Sequence, residues 1–231
     1  IRARGSSTAG DNNLLIQAQN DIRFGSGSSE TERIRIAADG ALGIGGANYG
    51  TSGQALLSQG SGAAPVWGDI GLSVSQWRLN TNRDIPANTE TVLPATGDSW
   101  NEVGAFGYAR LGSAMTVSGG VFTFPSTGIW RIEFTGYWGV GSSGSENSLH
   151  SRIQTTTNGS SYSTAHEQQN SIKSDSTYTY QGFYNTYIFD VTDTSTHKVR
   201  FTLFTSANYA YYKANNAPTM TGALFTRLGN T

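Results

Sequence analysis

The sequence predicts an all-β protein: very short strands over residues 1–70, then a sandwich or jelly roll over residues 71–231. Three observations carry this. Charged residues make up 13% of the chain, against the usual ~25%. Ser, Thr, Asn, Gln and 29 Gly fill the gap, while 11% aromatics exclude a disordered tract. Apolar segments are short, spaced by turn formers, and lack helical periodicity.

Net charge is −1, and the lysines are Lys173, Lys198 and Lys213, with no basic run. Nucleic acid is therefore not an expected partner, because phosphate binding needs clustered Lys and Arg. No cysteine is present, which excludes disulfides and thiolate metal sites. No run of ~18 apolar residues occurs, so no membrane insertion is expected. Ile1–Gly10 shows no signal-peptide pattern, and the chain reads as a fragment of a longer one.

In residues 1–70 the apolar segments are Leu14-Leu15-Ile16, Ile22-Arg23-Phe24, Arg33-Ile34-Arg35-Ile36 and Ala41-Leu42-Gly43-Ile44. Asn20-Asp21, Gly25–Ser29 and Asp39-Gly40 separate them with turn chemistry. Strands this short cannot bury a core alone, since even a compact domain of ~60 residues is marginal. Identical chains stacked about a common axis would supply the missing burial. Glu32–Gly45 (E-R-I-R-I-A-A-D-G-A-L-G-I-G) and Tyr49–Asp69 resemble phage tail-fibre shaft and linker segments. Leu56-Leu57 and Val66-Trp67 need burial that a flexible linker would not provide. The resemblance implies a virion component, extracellular, with the rest of the tail fibre on the N-terminal side.

From Leu72 onward ten strands are expected. They lie near Val74–Leu79, Glu90–Leu93, Glu102–Tyr108, Met115–Phe124, Ile129–Val140, Leu149–Thr156, Tyr162–Gln169, Tyr178–Val191, Lys198–Thr205 and Thr219–Leu228. Val121–Phe134 (V-F-T-F-P-S-T-G-I-W-R-I-E-F) reads as strand, turn, strand. Pro125 presets one φ and Gly128 permits a positive one. The spacing Phe122, Gly128, Trp130, Ile132, Phe134 resembles the central hairpin of C1q-like and tumour-necrosis-factor-like jelly rolls. Arg110 departs from the first half of that signature. The resemblance implies a ten-stranded jelly-roll head that assembles as a homotrimer.

Some C-terminal strands are apolar on both faces. In Tyr178–Val191, Phe183, Tyr187, Phe189 and Val191 lie on one side, and Tyr178, Tyr180, Tyr184 and Ile188 on the other. A strand solvated on one face would alternate cleanly. Met220, Leu224 and Leu228 likewise lie opposite Ala223 and Phe225. Burial on both faces needs a second packing partner, and the C1q-like resemblance implies that it is the neighbouring subunit, giving a trimer interface of Tyr180, Tyr184, Ile188, Met220 and Leu224, with Arg131, Glu133 and Tyr137 on the same side.

No catalytic constellation assembles, and an enzyme is not expected. His150 and His166 suit adjacent strands, but His166 and Glu167 face opposite ways and cannot hold one metal ion. His197 falls in a turn where solvated residues are expected. No G-x-S-x-G elbow accompanies the serines, and no carboxylate pair is spaced as a glycosidase acid and base. Gly43-Ile44-Gly45-Gly46 opens no helix, so it is no dinucleotide loop. No metal or cofactor is expected. The sequon Asn158-Gly159-Ser160 has a turn's composition.

Asn208-Tyr209-Ala210-Tyr211-Tyr212-Lys213-Ala214-Asn215-Asn216 reads as a loop between the last two strands. Aromatic faces stack on sugars and amides bond hydroxyls. Asn208, Tyr209, Tyr211, Tyr212, Lys213, Asn215 and Asn216 are therefore the candidate receptor-binding residues. Strand parity places Gly139–Ser148, Ser171–Thr177 and Ser206–Pro218 together at the end away from the termini. The expected function is a tail-fibre tip that binds a host-surface receptor, a glycan or protein, as a homotrimer. The alternatives are a polysaccharide depolymerase, a structural trimerisation cap and a secreted C1q-like lectin.

Overall fold

A computed structural model describes residues 16, 18–104, 108, 110–140, 145–173, 179–206, 210–215 and 219–231. The chain divides into two compact units, Ile1–Ile70 and Gly71–Thr231. All regular elements among the described residues are strands.

The first unit holds an antiparallel sheet of β1 (Ile22–Ser26), β2 (Thr31–Ile36) and β3 (Leu42–Ile44), in that order. Gly27 and Gly40, at φ 87° and 90°, make its turns. Cross-strand partners Ile22↔Ile36, Phe24↔Ile34, Ile34↔Ile44 and Ile36↔Leu42 share one face. Phe24, Ile34, Ile36 and Leu42 stay exposed there. On the opposite face Arg35 is clamped by Glu32 at 2.7 Å and Asp21 at 3.1 Å. A second hairpin pairs β4 (Ala55–Leu57) with β5 (Val66–Gly68). The Trp67 ring lies against Gly50, and its Nε1 donates to the Asn48 carbonyl at 3.1 Å. Leu56 and Val66 are exposed. Leu14 and Leu15 of the first expected segment lie outside the described residues.

The second unit contains β6 (Ser73–Leu79), β7 (Thr81–Asp84), β8 (Thr91–Val92), β9 (Trp100–Glu102), β10 (Thr116–Ser118), β11 (Val121–Thr123), β12 (Gly128–Val140), β13 (Ser145–Thr156), β14 (Ser163–Lys173), β15 (Thr179–Val191), β16 (Lys198–Thr205), β17 (Ala210–Asn215) and β18 (Gly222–Gly229). Among the described residues that is thirteen strands rather than ten: β7 and β17 are additional, and the expected strand Met115–Phe124 is a hairpin turning at Gly119-Gly120. Ladder partners are nested along the chain: β6 with β18, β11 with β16, β12 with β15, β13 with β14. This nesting is a long hairpin rolled into two facing sheets, the path of a jelly roll. One sheet runs β11-β16-β13-β14 and the other β6-β18-β12-β15, each with short extra strands. Between them pack Phe122, Trp130, Ile132, Phe134, Trp138, Phe183, Phe201 and Phe225, all buried. Phe134 stacks on Phe201 at 4.7 Å between ring centres.

The expected hairpin Val121–Phe134 is corrected. β11 pairs with β10 and β16, whereas β12 pairs with β15, β17 and β18, so Pro125–Gly128 carries the chain from one sheet to the other. Phe124 and Trp130 both turn into the core, 5.3 Å apart, and Trp130 Nε1 donates to Ser126 O. Gly128, at φ 139°, sits where a Cβ would meet Arg227 and the Gly229 carbonyl.

β17 and β18 run in the same direction along one edge of β12, the first beside Trp138–Val140 and the second beside Ile129–Thr135. They form one interrupted strand. At the break, Tyr137 N–H donates to the Thr221 hydroxyl at 3.4 Å, and that hydroxyl donates to Lys213 O. β6 begins and β18 ends at one end of the sandwich, where Ser73 pairs with Arg227. Val140, Ser145, Lys173, Thr179, Thr205 and Ala210 mark the opposite end.

Candidate functional site

The two outward faces of the sandwich differ in chemistry. On the β11-β16-β13-β14 sheet, Arg152 bonds Glu167 and donates to Glu90 Oε1 at 2.7 Å. His150 Nδ1 meets Glu167 Oε1 at 2.8 Å. Thr202 and Gln154 also donate to Glu90, and Arg200 donates to Gln154 and lies 4.1 Å over the Tyr162 ring. Partial burial alone would raise the pKa of both glutamates, but hydrogen bonds led by Arg152 outweigh it and hold both below the ordinary value. The polar groups of this face satisfy one another.

The outward face of β6-β18-β12-β15 is aromatic and aliphatic. Tyr137, Tyr180, Tyr184, Ile188 and Leu228 are 46–51% exposed. The register makes them neighbours: Arg131↔Ile188, Glu133↔Leu224, Thr135↔Tyr184, Gly139↔Tyr180. The Tyr184 hydroxyl donates to Glu133 at 2.6 Å, and Arg131 bonds both at 3.2 and 2.8 Å. Met220 lies ahead of β18. It lines a concavity of about 440 Å³ with Thr135, Tyr137, Gln168, Tyr184 and Thr219.

At the end of this face away from the termini, Gly139 stands between Tyr180 of β15 and Tyr211 of β17. The Tyr211 ring lies over Gly139 and the Tyr137 ring beside Gly182. Lys213 Nζ is 4.8 Å from the Tyr180 ring centre and 5.9 Å from that of Tyr211.

No protein-family model matches the chain, and no curated protein matches it. Among solved structures, murine APRIL at pH 8.0 is 14% identical, with a TM-score of 0.46, covering 68% of this chain and 99% of that one. The Eiger TNF structure from S. frugiperda is 11% identical, with a TM-score of 0.48, covering 69% and 94%. The strand order described above rests on this chain's own ladders.

The residues expected in a receptor loop are placed differently. Tyr211, Tyr212, Lys213 and Asn215 belong to β17, a strand, not a connector. Tyr212 points inward, is fully buried, and donates to Asp98 Oδ2 at 2.8 Å. Burial, reinforced by Asp98, pushes its pKa far above the ordinary tyrosine range. It cannot stack on a ligand. Tyr211 and Lys213 instead join Tyr180, expected at the trimer interface, in one patch. The signal was present: Ala210, Tyr212 and Ala214 alternate with Tyr211, Lys213 and Asn215, a period of two. Asn208, Tyr209 and Asn216 lie outside the described residues, as do the connections 141–144 and 174–178.

The histidines take part in hydrogen bonds within the head. His150 and His166 do lie on adjacent strands, and His166 and Glu167 do face opposite ways. His166 Nδ1 meets Asn185 Oδ1 at 2.8 Å, and Asn185 Nδ2 donates to Ser151 Oγ at 2.8 Å. Asn185 separates the histidine from the serine, which is not nucleophile–base geometry. His197 is buried rather than solvated, with its ring 5.5 Å from Phe189 and its nitrogens bonding Thr192 and Thr196. Among the described residues no group of His, Asp or Glu is placed to hold a metal ion.

Proposed function

We propose that the chain is the distal part of a phage tail fibre and that its jelly-roll head binds a host-surface glycan as a homotrimer. The observation that carries the reading is the contrast between the two outward faces. One saturates its polar groups in a network of ion pairs and hydrogen bonds. The other leaves Tyr184, Ile188 and Leu228 exposed, with Leu224 half-buried beside them. A second copy of the same surface supplies apolar area. The sheet of the first unit, with Phe24, Ile34, Ile36 and Leu42 exposed together, makes the same demand. The number three, the fibre and the virion come from the resemblance of Glu32–Gly45 and Tyr49–Asp69 to fibre shafts and of Phe122–Phe134 to C1q-like heads. Binding is reversible recognition strengthened by three linked copies.

Sedimentation equilibrium tests the assembly. The expected mass is three times the 24.6 kDa of the chain. A stable single-chain species at micromolar concentration overturns the reading.

A further inference from the structure

The apolar outward face divides along its length. Toward the termini Ile188, Leu224 and Leu228 surround Arg131 and Glu133, which pair with each other at 2.8 Å. Toward the opposite end it is tyrosine, glycine and one lysine. Glycine at 139 and 182 removes the side chains that would stand between the rings, so the Tyr211 and Tyr137 rings settle onto the sheet. Any side chain at Gly139 would collide with the Tyr211 ring and lift it. Rings held in this way present an apolar face with a hydroxyl at the rim, which suits the C–H face of a sugar.

Lys213 stands beside the rings of Tyr180 and Tyr211 on the same strand face. Among the described residues no carboxylate pairs with it. Hydrogen bonds from Tyr211 and then Lys213 hold the Tyr180 hydroxyl below its ordinary pKa, so this corner of the sheet favours negative charge. The adjoining concavity of about 440 Å³ is lined by Thr135, Gln168 and Thr219, within the ~300–1,000 Å³ of small-ligand sites. Gln168 Oε1 accepts from Tyr184 N at 2.7 Å, so the amide nitrogen remains to donate.

The geometry points to a binding site for an acidic saccharide, with sugar rings on Tyr137 and Tyr211, a carboxylate at Lys213, and hydroxyls in the concavity at Gln168 and Thr219. This rests on the glycan-binding reading and deepens it. It moves the site from an apical loop to the sheet face and names the class of sugar. It also assigns the two halves of the face separate roles, with the aliphatic half left for neighbouring copies.

The test uses the full chain on an array of acidic and neutral saccharides. The best acidic ligand and its carboxyl-reduced form are then titrated against wild type, Lys213→Gln and Tyr137→Ala. Sedimentation of each variant checks that assembly is unchanged. The expected hits are acidic. Losing either the sugar's carboxylate or the lysine charge weakens binding roughly tenfold, as one charge-assisted hydrogen bond implies. Tyr137→Ala weakens acidic and reduced ligands alike. Hits confined to neutral sugars overturn the acidic class while leaving glycan binding intact. Acidic hits that neither variant weakens overturn the location. An assembled protein that binds no saccharide overturns both this inference and the glycan reading.

Discussion

Thr221 lies at the break between β17 and β18, where the described residues make no ladder pairing with β12. Its buried hydroxyl accepts from Tyr137 N–H and donates to Lys213 O, replacing the missing ladder contact with a side chain. Thr221→Val keeps the shape and strands both backbone groups. It should cost about 1–3 kcal/mol, read as a lowered denaturation midpoint with an unchanged m-value. A midpoint equal to wild type would mean that water replaces the hydroxyl. Gly136 is constrained sterically. A Cβ there would lie 2.5 Å from the Phe183 ring and 2.5 Å from the Thr221 hydroxyl. Gly136→Ala should destabilise by about 1–3 kcal/mol, as overpacking of a filled core does. Chemical denaturation measures it, and a neutral result would show that Phe183 can rotate away.

Among the elements, the β1–β3 sheet bears on the proposed association of the first unit. Its strands pair well, but among the described residues Phe24, Ile34, Ile36 and Leu42 stay exposed together on one face, and only Ile44 there is buried. A peptide of residues 1–70 should give the circular dichroism of an unfolded chain, and gain strand signal only when fused to a trimerising tag. Cooperative thermal unfolding of the untagged monomer would contradict this. The Glu90–Arg152–Glu167 network on the opposite type of surface predicts a pH effect. Both glutamates have depressed folded pKa values relative to the ordinary 4.5. Their contribution is therefore complete above that value and disappears as pH falls through the depressed one. Between about pH 5 and pH 3, wild type should lose more thermal stability than Arg152→Met. Parallel curves would show that the network is energetically neutral.

For the whole molecule, the decisive question is what covers β6-β18-β12-β15. Ile188 is 51% exposed and lies opposite Arg131 across the β12–β15 ladder. Ile188→Asp places a carboxylate beside a guanidinium, which the single head tolerates. In an assembly the same charge is buried at the contact, with a penalty of several kcal/mol if unpaired. Sedimentation should then show a folded single-chain species with wild-type circular dichroism. An undisturbed assembly would move the contact to another face of the head.

The sequence by itself determined the class of structure, the alternation of the long strands and the scarcity of buried apolar groups among the described residues of the first unit. These follow from local chemistry: a period of two, turn residues at fixed points, and too few apolar groups per strand. The two sides of Thr179–Val191 were legible for that reason, as was the shared face of Arg131, Glu133 and Tyr137; Tyr178 lies outside the described residues. Tertiary structure alone decided which strands pair. Nothing local in Pro125–Gly128 distinguishes a hairpin from a crossing between sheets. The choice is made by Phe122, which finds Trp77 and Trp100 across the core. Likewise, Tyr211 and Tyr212 are adjacent and chemically identical. One becomes surface and the other core only because β17 docks on β12, which turns alternate side chains toward opposite solvents.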